Sequence, residues 1–331
     1  MTSQVTAAAR PSPFFTPPRL RRIREAGLGY LFLLPAFAVL VVFEYWPVFY
    51  GAYISTCNWG VKGCIKPIGL ANYTKAFSDP DMWHSLLVTA TYSIISVPLQ
   101  LGISLLLAYL LFQKIRGKGI YRVFYFMPYI TATVASASVW AFLYSPDKGL
   151  INEVAGKLGL PQLRWLMEPR GIFEVIGKGL QIPVPLELAG PSVAMLAIVL
   201  YTTWVFVGYD TVIFLAGLGN IPNELYEAAK IDGASGWQLF RRITIPLLSP
   251  TTFFLLLYTV IGTFKAFNHI YVMTAGGPGD ATKTTSLFIF EQMYQYNRYG
   301  YSAALSFILF AVILVITILQ NRFTSRSVVY A

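Results

Sequence analysis

The side chains that could do chemistry are few in this sequence, and their spacing excludes most reactions. The two histidines, His84 and His269, lie far apart, and no cysteine or carboxylate cluster completes a metal site around either, so both read as interfacial residues. Gly117-Lys118 and Gly177-Lys178 are each followed by glycine and lack the upstream glycine of a phosphate-binding loop, so any nucleoside triphosphate is hydrolysed elsewhere. No clustered nucleophile or paired carboxylates are present, which argues against an enzyme. Cys57 and Cys64 are the only cysteines. They could close a small disulfide loop in an oxidising compartment or stand as two free thiols, because spacing does not fix geometry.

The elements that must position these residues do not suit water. The 331 residues are 56% hydrophobic and 12% charged, with a mean hydropathy of +0.57. A soluble domain carries about twice that charge, roughly 25%. A bilayer core about 30 Å thick needs roughly 20 apolar residues at about 1.5 Å rise each. Six windows meet the requirement: 27–49, 84–112, 122–145, 191–217, 248–274 and 300–321. The second is uncharged from Met82 to Gln113, long enough to cross with tilt or a bend at Pro98. The expected fold class is an all-α membrane protein with six transmembrane helices.

A formal charge of +10 could mark a nucleic-acid surface, but its placement says otherwise. With both termini cytoplasmic, the inner side holds 14 basic residues against 4 acidic ones, and the outer loops hold 10 against 9. The excess is a topology signal, and no nucleic-acid partner is expected. Glu44, Asp210 and Lys265 fall within spans. Asp210 and Lys265 differ in height by roughly 15 Å at about 1.5 Å per residue, too far to pair. Glu44 shares the height of Lys265, which leaves either a pair or two side chains reaching the outer interface separately.

Residues 1–26, with Pro11, Pro13, Pro17 and Pro18, read as a disordered basic cytoplasmic tail, 27–321 as the membrane domain and 322–331 as a second cytoplasmic tail. The apolar run starts only at Ala26 and lacks a small-residue cleavage pattern behind it, so no cleavable signal peptide is expected. The outer loop 146–190 carries apolar residues at near-helical intervals, including Leu150, Val154, Leu158, Trp165, Phe173 and Ile176. It predicts short helices that either dock an external protein or pack as a lid on their own bundle.

The loop 220–250, between the fourth and fifth windows, is too long and too apolar for a linker. Pro222 and Glu224 predict a helix to Ile231, Asp232-Gly233 a turn, and the capping box Ser235/Gln238 a second helix ending before Pro246. Leu225, Tyr226, Trp237, Leu239 and Phe240 supply apolar anchors.

Glu227-Ala228-Ala229, Asp232-Gly233-Ala234, Phe240, Ile243 and Pro246 together resemble the EAA loop of the membrane subunits of binding-protein-dependent ABC importers. GLANYTKAF at 69–77, RVFYFMPYI at 122–130, GLIN at 149–152, AGLGNIP at 216–222, TAGGPGDAT at 274–282 and YSAAL at 301–305 are similar to the carbohydrate-uptake branch of that family. The TAGGP stretch looks more like the first permease of sugar or glycerol-phosphate systems than the second. The likeness covers roughly 28–321, while 171–190 reads like an insertion.

The resemblance implies a permease subunit of an ATP-driven sugar importer in a prokaryotic inner membrane. Its partners would be a second homologous permease forming a heterodimer, two ATPase subunits that hold ATP and Mg, an extracytoplasmic solute-binding protein, membrane lipid and the sugar. The chain itself would bind no cofactor and be non-catalytic. Loop 220–250 would be its coupling helix: Glu227 contacting the ATPase, Gly233 supplying the turn, Ala228, Ala234 and Phe240 lining the docked surface, with Ala229, Asp232 and Pro246 completing the motif.

Sugars are held by hydrogen bonds to hydroxyls and by stacking on aromatic faces. Thr202, Phe206 and Tyr209 fall at i, i+4 and i+7, and Tyr129 and Thr133 at i, i+4, so each set shares one helical face. With Val205, Thr263 and Ala266 these positions match those lining the cavity of a related sugar permease; aromatic and Thr residues are also common packing residues in spans. A stand-alone secondary transporter or ion channel is the alternative, but Asp210 and Lys265 at different depths make a poor ion relay.

Overall fold

The computed structural model describes residues 18–60, 62–113, 116–179, 182–183, 185 and 188–324. Two compact units divide the chain, Met1–Ile54 and Ser55–Ala331.

In the first unit, α1 (Pro18–Leu40) runs through a π turn at Val41–Tyr45 into α2 (Trp46–Ser55). The apolar stretch Glu25–Ser55 is long enough to cross a bilayer, and its large side chains, such as Phe32, are exposed, as a lipid-facing span requires. The helix starts at Pro18, ahead of the apolar run. Pro18 is pre-organised for a first turn, so 18–26, assigned by composition to the disordered tail, are helical instead. The rest of that tail, 1–17, and residues 325–331 of the C-terminal tail lie outside the described residues.

The second unit opens with an antiparallel hairpin, β1 (Cys57–Gly60) and β2 (Gly63–Pro67), closed by a disulfide between Cys57 and Cys64. Asn72 of α3 (Ala71–Phe77) ties the hairpin down by donating to the carbonyls of Ser55 and Cys57 at 2.8 and 3.2 Å. Asp79 caps α4 (Pro80–Phe112), accepting from the Asp81 amide at 3.0 Å with Pro80 at the first position. The helix continues through Pro98 without interruption.

The third window is not one rod. α5 (Lys118–Ile130) and α6 (Thr133–Leu143) meet at 97° around Thr131-Ala132, because Pro128 cannot donate into the ladder and Thr131 is extended and Ala132 non-helical. Outside it lie α7 (Leu150–Lys157), a 3-10 turn at Trp165–Met167 and α8 (Ile172–Gly179). Trp165 packs 5.4 Å from the Tyr144 ring and the Ala194 amide donates to the Glu168 carbonyl, so this part of loop 146–190 lies on its own bundle, while Phe173 and Ile176 of α8 stay exposed. α9 (Val193–Gly219) starts at Ser192, which accepts from the Met195 amide at 3.1 Å.

α10 (Asn223–Ile231) and α11 (Gly236–Leu239) form the loop 220–250. α11 continues through a π turn at Phe240–Thr244 into α12 (Ile245–Leu247), which bends 63° into α13 (Ser249–Phe264). The helix therefore does not stop before Pro246: the π turn realigns the ladder so that Pro246 falls at the start of α12, where a missing N–H costs little. The fifth window is interrupted again at Lys265–Phe267 before α14 (Asn268–Thr274). α15 (Thr285–Phe290), a second π turn and α16 (Tyr299–Thr324) complete the unit.

Among the described residues, four helices are thus long and apolar enough to cross a membrane, or up to six if each bent pair counts as one crossing. The main core lies where Val97 and Leu101 of α4, Phe214 and Leu218 of α9, Leu255 and Phe264 of α13 and Leu309 of α16 meet. α9 comes close enough to α5 that a Cβ on Gly208 would sit 1.7 Å from the Tyr125 carbonyl oxygen, so only glycine fits there.

Candidate functional site

α4 presents a buried polar stripe at helical spacing, Ser85, Thr89, Ser93, Ser96, Gln100 and Ser104, inside an otherwise apolar span. In lipid, such groups must be satisfied by neighbouring helices or face a cavity. Both happen here. Ser104 donates to the carbonyls of Gln100 and Val207 at 2.7 and 3.1 Å, tying α4 to α9, and Ser93 and Thr263 pair their hydroxyls at 2.8 Å.

Between α4, α6, α9 and α13 lies a cavity of about 210 Å³. Its wall is built from Tyr92 and Gln100 of α4, Thr133 of α6, Thr202 and Phe206 of α9, Tyr258, Thr259, Gly262 and Thr263 of α13, and the link Lys265 to His269. The break between α13 and α14 opens this link to the cavity: Lys265 ends α13 and Asn268 starts α14. Lys265 is the one charged residue in the wall.

Part of the wall is a buried hydrogen-bonded group. Tyr92 Oη lies 2.8 Å from Thr202 Oγ1 and 3.1 Å from His269 Nε2, and the Thr202 hydroxyl is 2.9 Å from the Ile198 carbonyl. One direction satisfies every donor: His269 Nε2–H to Tyr92, Tyr92 O–H to Thr202, Thr202 O–H to the carbonyl. The Tyr201 ring sits 5.5 Å from the imidazole.

The path residues expected from sequence divide into three sets. Thr133, Thr202, Phe206, Thr263 and Ala266 line the cavity. Tyr129 and Tyr209 stack at 4.7 Å and 22°, Tyr129 meets the Phe206 ring edge-on at 5.9 Å, and Tyr209 is 5.3 Å from Tyr258, so they form an aromatic group adjoining the wall. Val205 is elsewhere: one residue from Phe206 is about 100° around a helix, and it is buried in a core with Ala137, Tyr144 and Tyr201. Tyr92, Gln100, Tyr258 and His269 are wall residues that sequence reasoning missed, and His269 in particular is not interfacial but 6% exposed inside the bundle. The α4 residues had a readable signal, a polar stripe of helical period in an uncharged window; His269 had none, because it follows the break after α13.

In loop 220–250, Gly233 adopts φ +78°, the left-handed turn between α10 and α11, and its amide donates to the Lys230 carbonyl at 3.0 Å. The capping box is complete: Gln238 N donates to Ser235 Oγ at 3.4 Å and Ser235 N to Gln238 Oε1 at 2.7 Å. Tyr226 and Thr244 join their hydroxyls at 3.0 Å and Leu239 is buried, so these anchors hold the loop to itself. Phe240 is half-buried, its ring 4.6 Å from that of Tyr109 on α4 and 5.7 Å from that of Trp237. Glu227, Ala228 and Asp232 are exposed, Ala229, Ala234 and Pro246 half-buried. The large apolar residues exposed in this loop are Leu225, Trp237, Ile245 and above all Ile231, 86% exposed.

The family described as "Binding-protein-dependent transport system inner membrane component" matches residues 91–328. The trehalose/maltose transport system permease protein of Thermococcus litoralis is 35% identical over 302 residues, covering 91% of this chain and 95% of the relative. An sn-glycerol-3-phosphate transport system permease protein of Agrobacterium fabrum is 34% identical over 305 residues, covering 92% and 96%. A chain in the crystal structure of a bacterial alginate ABC transporter bound to its periplasmic protein has the same fold, with a TM-score of 0.77 at 22% identity over 94% of this chain and 98% of that one.

Proposed function

Because the chain belongs to the family of inner membrane components of binding-protein-dependent transport systems, we propose that it is a non-catalytic permease subunit of an ATP-driven sugar importer. It would cross the membrane six times with both termini cytoplasmic, pair with a second homologous permease and contribute half of the translocation path. Two ATPase subunits would supply ATP hydrolysis and a solute-binding protein would deliver the sugar from outside. Membership in a binding-protein-dependent family sets aside the stand-alone transporter or channel.

The observation that carries the sugar reading is the wall of the 210 Å³ cavity, where the hydroxyls of Thr133, Thr202 and Thr263 stand beside the aromatic faces of Phe206 and Tyr258. Hydroxyls meet hydroxyls, and rings meet the apolar faces of a pyranose. Two relatives named for trehalose/maltose and sn-glycerol-3-phosphate transport support a polyol substrate.

The coupling reading rests on the loop 220–250. α10 and α11 present an exposed corner with Glu227, Ala228, Ile231 and Trp237 on it, while Phe240 and Leu239 hold its other side to the bundle. That arrangement lets a partner's motion reach α4 as a rigid push. ATP binding would close the ATPases, the corner would transmit the motion and the cavity would turn outward to receive sugar; hydrolysis would reset it.

Reconstitution with the cognate permease, ATPase and binding protein, followed by uptake of labelled trehalose, maltose and sn-glycerol 3-phosphate, tests the reading. Uptake that requires ATP and the binding protein supports it. Uptake by this chain alone, driven by an ion gradient, overturns it.

A further inference from the structure

Asp210 is the one fully buried acid among the described residues. Its Oδ2 accepts from Gln100 Nε2 at 2.6 Å, and its Oδ1 has no hydrogen-bond partner. An ionisable group in a membrane span is expensive and marks function more often than packing. The cavity supplies the function: Gln100, its partner, is in the wall.

A carboxylate can only accept, so it decides which end of the amide faces it. With Nε2 turned to Asp210, the Gln100 amide oxygen is left for another partner, and Gln100 lines the cavity. An amide oxygen on a cavity wall suits a ligand hydroxyl, which can donate to it.

We propose that Gln100 contacts the transported solute, its amide oxygen accepting from a sugar hydroxyl, and that Asp210 is the positioning residue that holds the amide in that orientation. The inference rests on the cavity being the sugar path and adds a solute contact on α4 and a buried acid behind it. A structural alternative exists for the same bond, a tie between α4 and α9.

The only two cysteines are joined in a disulfide, so Gln100→Cys places a single free thiol in the chain. In the reconstituted importer a small methanethiosulfonate reagent should label that thiol during ATP turnover and block uptake. A thiol unlabelled in both resting and cycling transporter overturns the cavity-facing assignment. With the solute taken up in the reconstituted assay, Gln100→Leu and Asp210→Leu should each raise KM roughly tenfold, the worth of about one hydrogen bond, with a smaller change in maximal rate. The double variant should be no worse than either single one. Asp210→Asn, whose amide oxygen still accepts from Gln100, should keep the wild-type KM. Lower thermal stability of Asp210→Leu with KM unmoved would make Asp210 a tie and overturn the proposal. If the wild-type complex moves no solute on ATP, the failure belongs to the sugar-importer reading, and the labelling of position 100 still decides whether Gln100 faces the cavity.

Discussion

The ring of Phe240 rests 4.6 Å from that of Tyr109 at 60°, joining loop 220–250 to α4. α4 also carries Tyr92 and Gln100, so this contact lies between the loop and the cavity wall. An aromatic pair of this kind is worth about 0.5–1.5 kcal/mol beyond its buried area. Phe240→Ala should therefore leave the chain inserted and the partner ATPases active, while lowering the sugar moved per ATP hydrolysed. The ratio of uptake to hydrolysis in proteoliposomes checks it; an unchanged ratio would show that motion enters the bundle elsewhere.

Gly233→Pro is a sharper cut at the same loop. Proline locks φ near −65°, against the +78° the turn requires, and removes the amide that donates to Lys230. The cost, about 1–3 kcal/mol, falls on an exposed corner outside the spans. Membrane insertion should be largely intact and ATP-dependent uptake abolished, as measured by membrane fractionation beside the uptake assay. Normal uptake would end the coupling role.

The hairpin gives a prediction about thiols. With Cys57 and Cys64 joined, native protein should take up no maleimide, and two equivalents after reduction. Closing a loop this short stabilises by about 2 kcal/mol in the chain-entropy account. Cys57→Ser with Cys64→Ser should loosen the hairpin, seen as faster amide exchange at β1 and β2, with the buried anchor Asn72 limiting the damage.

Much of this was legible in the sequence because hydropathy and charge report on the solvent around each element. The windows 27–49, 84–112, 191–217 and 300–321 correspond to continuous helices for that reason. A window average is blind to direction, so it ran straight over Thr131-Ala132 and Lys265–Phe267, where the chain turns. Capping is local chemistry, and Ser235 with Gln238 was readable from spacing alone. Which face of α9 meets the cavity is not local: Thr202 and Val205 both had a claim, and only the placement of α4 and α13 puts the first in the wall and the second in the core. Phe240 shows the same limit, since nothing in the loop reveals that Tyr109, far away in sequence, awaits its ring.

Acidity should act on loop 146–190 through Glu168. Glu168 accepts two bonds from the Arg170 guanidinium at 2.6 and 2.7 Å, and that hydrogen bonding holds its carboxyl below the usual range. A depressed folded pKa gives stability that is present above the unfolded value, about 4.3, and lost as pH falls through the folded one. Amide protection around Trp165–Met167 and at Ala194, which donates to the Glu168 carbonyl, should, once corrected for the intrinsic pH dependence of exchange, be flat near neutrality and fall on acidification below that value. Glu168→Gln should abolish the pH dependence; a dependence that survives would assign it to another group.

The contact of α9 with α5 allows no side chain. An alanine Cβ at Gly208 would lie 1.7 Å from the Tyr125 carbonyl oxygen and 2.4 Å from its carbon, and neither is the end of a flexible side chain that could swing away. The helices would have to separate, losing the packing that holds spans together in lipid, where no hydrophobic force compensates. Overpacking of this kind costs about 1–3 kcal/mol or more. Gly262, in the cavity wall, has no atom within 4 Å of its own Cβ position. Gly208→Ala should therefore lower the melting temperature of the purified complex and its yield, whereas Gly262→Ala should leave both unchanged and act, if at all, on solute affinity. Equal thermal stability of the two variants would mean that α5 and α9 are not held this closely in the membrane.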